Sequence, residues 1–471
     1  MQTVAQHFIG GDFADSIGRE TVDIFNPATG EQIGRATLGN EADAERAIAA
    51  AKAAFPAWSQ TTLEERKVFL GKLAAALTER LDDLKSTMIA EYGSPAWFAG
   101  YVVDQARDFF NFAQNLLDAG NFEQVVGKAK VKKVPLGVAG LMTPWNGSAW
   151  FVCGKAASAL AAGCTVVIKP SELSVLQSQI LMECFKAAGL PAGVINLVNG
   201  RGDTVGNTIT RSPDVQKISF TGSTRVGKMI NREATETMKR VTLELGGKSP
   251  TIILDDADLA SATQLALGAG MMNTGQACIA GTRILVPESR LAEFEDALKA
   301  GIESMKIGNP AEPDTMVQPM VSQSHWERVQ GYIRKGIEEG ATVLTGGEGK
   351  PEGFEQGNYV KPTILTGVRN DMTIAQEEIF GPVLSIIPYK TDDEAVEIAN
   401  NVPYGLHAYI CGQDQDRAGK LADRLLVGRV MINELVDDPI APFGGFKLSG
   451  MGREFGLEGM LAYTEMRAVF G

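Results

Sequence analysis

Hydrophobic positions along this chain change their period several times, and each change marks a change of element. In the first fifty residues, alternating runs such as Thr-Val-Asp-Ile-Phe are cut by turn signals at Asn26-Pro27 and Gly30, the pattern of short strands. From Glu41 to Phe55, Leu63 to Tyr92 and Trp97 to Ala119, apolar residues recur at three and four, which predicts three helices. Val125 to Val134 alternates and carries four lysines, as an exposed hairpin would, either solvated or in contact with another subunit.

Between Gly137 and Gly247 the pattern becomes a strict alternation of strand and helix. Gly-Val-Ala-Gly-Leu-Met leads to a helix through Ala161, Cys-Thr-Val-Val-Ile-Lys to a helix from Ser174 to Ala188, and Val-Ile-Asn-Leu-Val to a short helix. Lys-Ile-Ser-Phe, another helix and Val-Thr-Leu-Glu-Leu complete the series. This order predicts a parallel sheet covered by helices on both faces, with ligands at the carboxyl ends of its strands. A second series follows, with strands at Thr251 to Leu254, Arg283 to Pro287, Val383 to Tyr389, Ala408 to Gly412 and Arg429 to Asn433. The pair Gly246-Gly247 separates the two as a hinge, so the fold class is α/β with two parallel-sheet domains.

Composition and charge narrow the function. A chain of 471 residues exceeds one ordinary core. With 57 acidic against 44 basic residues the formal charge is −13, a field that opposes nucleic acid and anionic lipid. The charge-free runs Val134 to Gly154 and Leu259 to Thr282 contain Gly and polar residues and do not match a membrane span. The N-terminus has no basic segment followed by an apolar run, so the expectation is a cytoplasmic protein with no membrane partner. Five cysteines without a Cys-x-x-Cys pair and three histidines predict reduced thiols and no metal site.

One cysteine stands out. Cys278 lies in Asn-Thr-Gly-Gln-Ala-Cys-Ile-Ala-Gly-Thr, inside the uncharged run, with Gly275 and Gly281 allowing close approach. Such a thiol is either an inert buried one or a nucleophile activated by partners elsewhere. Candidate partners sit at predicted strand ends. Gly222-Ser223 marks a strand-to-helix junction whose free N–H groups suit a phosphate, or simply a capping turn. Asn199 to Gly206 gives Gly-x-Gly-x-x-x-Gly, one residue longer than the dinucleotide fingerprint. Lys169 ends an apolar strand and precedes Pro170, Ser171 and Glu172, where a donor and an acceptor suit ribose hydroxyls, although loop charges there are also commonplace.

Taken together, Thr-Pro-Trp-Asn at 143–146, Lys-Pro-Ser-Glu at 169–172, Phe-Thr-Gly-Ser at 220–223 and Leu-Glu-Leu-Gly-Gly-Lys-Ser-Pro at 243–250 resemble the NAD(P)-dependent aldehyde dehydrogenase superfamily. Gly-Gln-Ala-Cys at 275–278, Glu-Glu-Ile-Phe-Gly-Pro-Val at 377–383 and Pro-Phe-Gly-Gly-Phe-Lys-x-Ser-Gly at 442–450 extend the match in the family's order over nearly the whole chain. The resemblance implies an NAD-binding domain at 1–120 and 136–246, a catalytic domain at 247–448, and a small β oligomerisation arm at 121–135 and 449–471 in a homodimer or homotetramer. It implies Cys278 as the nucleophile that forms a thiohemiacetal with an aldehyde, Asn146 as an oxyanion donor, and Glu244 as the base for thioester hydrolysis. Lys155 matches a lysine placed near that asparagine. For NAD, it implies Lys169 and Glu172 at the adenine ribose, Ser223 at the pyrophosphate, and Glu378 with Phe380 at the nicotinamide ribose. Pro144, Trp145, Ser171, Gly202, Phe220, Gly222 and Leu245 complete the cofactor set, and the Glu172 charge disfavours NADP.

The departures bear on the substrate. Gly147 and Ser148 replace an aromatic and a proline, Gly154 replaces a bulky residue, and Trp150 and Phe151 supply aromatic surface. The expected entrance is acidic, with Asp104, Asp108, Glu434, Asp437 and Asp438, unless these are ordinary solvated surface acids, and Arg107 is its one candidate cation. That favours a neutral aromatic or medium-chain aldehyde over a carboxylated semialdehyde. A cysteine acyltransferase or hydrolase is the competing class. It would need His325 or His407 beside Cys278.

Overall fold

The strands form where short apolar runs end at Gly, Pro or a polar turn, and their pairing sets where the loops meet. The computed structural model describes residues 1–435 and 438–471. Five parallel strands, Val138–Met142, Thr165–Lys169, Ile195–Leu197, Lys217–Thr221 and Arg240–Glu244, make the centre of an eight-stranded sheet. Val138–Met142 lies between Thr165–Lys169 and Lys217–Thr221. The strand order therefore reverses beside it, and a doubly wound sheet opens a crevice at that point. The hairpin Gln6–Ile9 and Asp12–Asp15 adds one antiparallel edge, and Gly450–Met451 adds the other against Leu243 and Glu244.

The second sheet has seven strands. Thr363–Thr366, Val383–Tyr389, Arg283–Pro287, Pro250–Ile253, His407–Cys411 and Arg429–Ile432 run parallel, with Thr342–Thr345 antiparallel at one edge. The strands at 342–345 and 363–366 lie outside the series the sequence predicted. A third, small sheet joins Thr464–Phe470 to Ala129–Pro135 and then Glu123–Val126. It exposes Val125, Met466 and Phe470.

The predicted helix from Leu63 to Tyr92 is two helices, Leu63–Thr78 and Leu81–Tyr92, separated by Arg80 in a non-helical conformation. The Arg80 guanidinium bonds Asp83 and Glu183, both at 2.6 Å, so the break lets the second helix turn onto Val175–Ala188. At its far end Glu91 is buried and accepts from the N–H groups of Leu176 (2.6 Å) and Gln177 (3.1 Å). No residue of the helix's own start supplies a side-chain cap; a carboxylate 85 residues upstream does so. Burial lifts this carboxyl to about 7 against the pull of those bonds. The cap fixes the helix that directly follows the Lys169–Glu172 loop. Glu91→Ala leaves two buried N–H groups without an acceptor, and should cost about 2–3 kcal/mol. The midpoint of thermal inactivation should fall by several degrees, and an unchanged midpoint would show that the helix start does not depend on this cap.

Candidate active site

A parallel sheet presents all its carboxyl ends to one side, and here that side faces the amino ends of the other sheet. The carboxyl ends of the first sheet supply Pro144, Trp145 and Asn146, Thr221 to Ser223, and Leu245 with Gly246. Loops entering the second sheet supply Cys278, Glu378 and Phe380. These residues line one cleft with about 210 Å³ of free space, closed by Phe151, His325 and Arg328.

Close backbone approach holds the two sides together. A Cβ on Gly247 would lie 2.1 Å from the Cys278 carbonyl oxygen, and one on Gly246 would lie 2.5 Å from the Glu378 carboxylate. The Gly247 N–H donates to that carboxylate at 3.0 Å. Glycine at the expected hinge is therefore a requirement of contact.

Cys278 follows three residues in left-handed backbone, Asn273 (φ 52°), Thr274 (φ 54°) and Gly275 (φ 72°). For a β-branched residue such as Thr274 this conformation is costly. It is held by the Gln318 N–H donating to Thr274 Oγ1 at 3.0 Å, and by Gln276, whose amide bonds Val321 N–H and the Pro319 carbonyl. Asn146 Nδ2 donates to the Gln276 carbonyl at 3.0 Å. Burial, with the Glu378 and Glu244 carboxylates nearby, pushes the Cys278 thiol well above its ordinary value. The four other cysteines are fully buried.

Glu244 ends the strand Arg240–Glu244 and is 1% exposed, with neither carboxylate oxygen hydrogen-bonded among the described residues. Burial, then repulsion from Glu454, raises its carboxyl well above the usual range. A carboxyl with that environment gives up its proton reluctantly and, once ionised, is a strong acceptor, which suits a general base. Lys155 lies behind it. Its ammonium is paired with Glu454 and donates to Ser219 Oγ at 2.9 Å, and Ser219 in turn bonds Glu454. Glu454 was not anticipated from the sequence, since nothing local marks it as a partner of Lys155.

Ser223 and Lys169 sit at the carboxyl ends of the two parallel strands that flank Val138–Met142. The Thr224–Ala234 helix opens on the cleft behind its N-cap Ser223, and the buried Thr221 Oγ1 there has no hydrogen-bond partner among the described residues. A Cβ on Gly222 would strike the Phe220 ring at 2.5 Å. A helix N-terminus facing the cleft and a buried hydroxyl at a strand-order reversal fit a dinucleotide phosphate. Further along, Lys169 pairs with Glu172 at 3.3 Å, and Arg201, bound to Glu20, approaches Glu172 to 3.9 Å. Burial drives the Glu172 carboxyl upward, but Lys169 and Arg201 more than offset it and keep it below the usual range. Ser171 is buried and caps the Leu173 N–H, while Gly202 begins the turn beyond Arg201. Lys169, Ser171, Glu172 and Gly202 do not line the Cys278 cleft itself.

His325 does line the cleft, but its Nε2 bonds the Phe380 carbonyl at 2.6 Å and burial lowers the ring to about 4. Facing a carbonyl, that nitrogen must carry the proton, and the ring stays neutral. Arg328 donates to the Glu378 carbonyl at 2.7 Å. Together they hold Phe380 at φ 63°. His407 is buried against Tyr409. Among the described residues no hydrogen bond joins a histidine to Cys278, the contact a Cys-His hydrolase would use.

Of the residues expected at the entrance, Phe151 lines the cleft, whereas Trp150 stacks behind it with Phe109 and Phe455. Gly154 makes this possible, since a Cβ there would meet Phe455 at 2.8 Å and Phe109 at 3.3 Å. Arg107 is clamped between Asp104 (3.2 Å) and Asp108 (2.8 Å). Glu434 lines a separate pocket with Cys411 and Asp258. Asp438 accepts from the Ile440 N–H and lines neither, and Asp437 lies outside the described residues. Among the described residues no cluster of three metal-ligating side chains occurs, and no helix is long and apolar enough to cross a membrane.

Known proteins share this architecture. Residues 13–469 match the model of the aldehyde dehydrogenase family. A putative aldehyde dehydrogenase of Staphylococcus haemolyticus is 44% identical over 472 residues, covering 100% of this chain and 99% of the relative. The crystal structure of aldehyde dehydrogenase C from Pseudomonas syringae, a cysteine-to-alanine mutant with NAD+ and octanal, superposes with a TM-score of 0.98 at 42% identity, covering 99% and 96% of the two chains. Betaine aldehyde dehydrogenase from Staphylococcus aureus with NAD+ gives 0.96 at 35% identity, covering 99% and 94%.

The Glu244 environment has a thermodynamic signature. Its pKa is raised on folding, so above the unfolded value of about 4.5 the native state holds the extra proton and stability falls as pH rises. Glu244→Gln removes that dependence. The variant's melting temperature, relative to wild type, should be about 2 °C or more higher at pH 8.5 than at pH 5. A pH-independent difference would mean that Glu244 is solvated.

Proposed function

Since the chain belongs to the aldehyde dehydrogenase family, we propose that it oxidises a neutral aldehyde to the carboxylic acid with NAD, through a covalent thioester on Cys278. The observation that carries this is the meeting of Cys278 and Asn146 in one cleft, with the buried Glu244 at the adjoining strand end. Bound NAD supplies the hydride acceptor.

The chain's own groups do the rest. Cys278 releases its proton to solvent and its sulfur attacks the aldehyde carbon. Asn146 has one N–H fixed on the Gln276 carbonyl, which orients the amide so that its second N–H can donate to the developing oxyanion; such a donor is commonly worth about 3–4 kcal/mol. After oxidation, Glu244 takes a proton from water, which attacks the thioester and frees the acid and the thiol. Glu378 and Phe380 hold the nicotinamide ribose, and Ser223 with the helix behind it holds the pyrophosphate. Lys169 and Glu172 take the adenine ribose. Glu172 disfavours a 2′-phosphate, but Lys169 and Arg201 soften that penalty, so the preference for NAD over NADP is moderate.

The substrate reading rests on the absence of a usable cation. Among the described residues lining the cleft the one permanent cation is Arg328, tied to the Glu378 carbonyl, and Arg107 is neutralised by its two aspartates. A carboxylated semialdehyde finds no partner there, whereas Phe151 and the rings behind it suit an aromatic or medium-chain aldehyde. The octanal bound by the Pseudomonas syringae relative is of that class. The exposed apolar residues of the small third sheet, Val125, Met466 and Phe470, support a homodimer or homotetramer formed through it.

Two measurements test the proposal. Glu244→Gln should release one NADH per active site in a burst and then stall as a thioester, while Cys278→Ala should give no burst. Steady turnover by Glu244→Gln at the wild-type rate would assign the base elsewhere. In a panel of aldehydes, kcat/KM for hexanal, octanal or benzaldehyde should exceed that for succinic semialdehyde by more than about tenfold, or roughly 1.4 kcal/mol. The reverse preference would overturn the substrate class.

A further inference from the structure

Asn146 and Cys278 belong to loops of different sheets, yet oxyanion stabilisation needs them in register, and displacement of about 1 Å can cost a hundredfold in rate. Asn273 spans that junction. It is 2% exposed, and its Nδ2 donates both to the Asn146 carbonyl at 3.3 Å and to the Gln276 carbonyl at 3.1 Å. The same Gln276 oxygen accepts from Asn146 Nδ2 at 3.0 Å. One buried amide thus grips the Asn146 main chain directly, and its side chain through a shared acceptor.

We propose that Asn273 is a positioning residue for the oxyanion donor, setting the Asn146 amide against the Cys278 loop. Two carbonyl oxygens facing one nitrogen fix the orientation of the Asn273 amide. Its backbone (φ 52°, ψ 33°) is left-handed, a conformation that asparagine tolerates better than other residues with a side chain. Asparagine is therefore the residue that meets both demands at once. Tyr92, whose hydroxyl lies beside Asn273 and Gln318 and whose ring packs on Trp145 at 5.4 Å, backs the amide on its far side. Thr274, next in the same turn, is held separately by Gln318, so the turn has its own support when the Asn273 amide is removed.

This inference rests on the roles proposed for Cys278 and Asn146, and the test separates them. The readout is acylation of Cys278 by p-nitrophenyl acetate without cofactor, in which the thiolate attacks the ester carbonyl, p-nitrophenolate leaves and a thioester remains. Asn273→Gly suits the left-handed backbone and deletes only the amide, and Asn273→Asp keeps its shape but sets an acceptor against two carbonyls. Both should slow the p-nitrophenolate burst by about tenfold or more, with the Asn273→Gly melting temperature within about 2 °C of wild type. In an Asn146→Ala background, Asn273→Gly should cost less than about twofold, because the group it positions is gone. A full tenfold cost in that background, or an unchanged burst in Asn273→Gly, overturns the proposal. A burst unaffected by Asn146→Ala overturns it through the donor assignment, and one surviving Cys278→Ala through the nucleophile.

Discussion

Parallel strands impose a direction on everything attached to them. Every loop leaving the five parallel strands of the first sheet emerges on one side, and the loops entering the second sheet meet it there. The chemistry needs groups from both, so the molecule depends on how closely two sets of backbone can approach. Gly246 and Gly247 permit that approach, and the Glu378 carboxylate bridges it by accepting the Gly247 N–H. Side chains alone could not bring Cys278 and Glu378 this near the end of the Arg240–Glu244 strand, because any Cβ at 246 or 247 would occupy the space of the contact.

Around this junction the protein tolerates several costs that an ordinary core avoids. Thr274 and Phe380 sit at positive φ, and among the described residues neither the buried Glu244 carboxylate nor Lys248 Nζ has a hydrogen-bond partner. Arg283 is fully buried and bonds four acceptors, three of them main-chain carbonyls and none a carboxylate. Burial lowers Lys248 to about 7 and Arg283 to about 9. Each such feature costs on the order of 1–3 kcal/mol, and they cluster around two carboxylates, Glu244 and Glu378. The surrounding sheets, whose central strands are buried along their full length, supply the stability that offsets them.

The parts of the fold readable from the sequence were those with strong periodicity. The central strands and the crossover helices were placed within a residue or two, since an apolar run bounded by Gly or Pro has few other uses. Thr342–Thr345 and Thr363–Thr366 were missed because a four-residue strand carries no period of its own and forms only by pairing with Val383–Tyr389 and its neighbour. The break at Arg80 depends on Glu183, over a hundred residues away in sequence. At the site, Cys278, Asn146, Glu244 and the proposed cofactor residues stood out through motifs. Glu454 and Asn273 did not. Glu454 acquires its meaning from Lys155, 299 residues distant, and Asn273 from two carbonyl groups, which have no signature in the sequence at all.

Gly154 and Phe455 occupy one volume between them. The ring of Phe455 stacks on Phe109 at 4.8 Å in space that a side chain at 154 would fill, and Phe455 adopts φ 57°, ψ 168° to reach it, a backbone conformation close to glycine's own region. The two positions therefore behave as a lock-step pair: enlarging the first without shrinking the second overpacks the wall, and shrinking the second alone opens a void behind Trp150. Lineages or designs that reshape this wall must move through both residues together, and because Phe455 follows Glu454 directly in the chain, any reshaping of the wall is also felt by the carboxylate paired with Lys155.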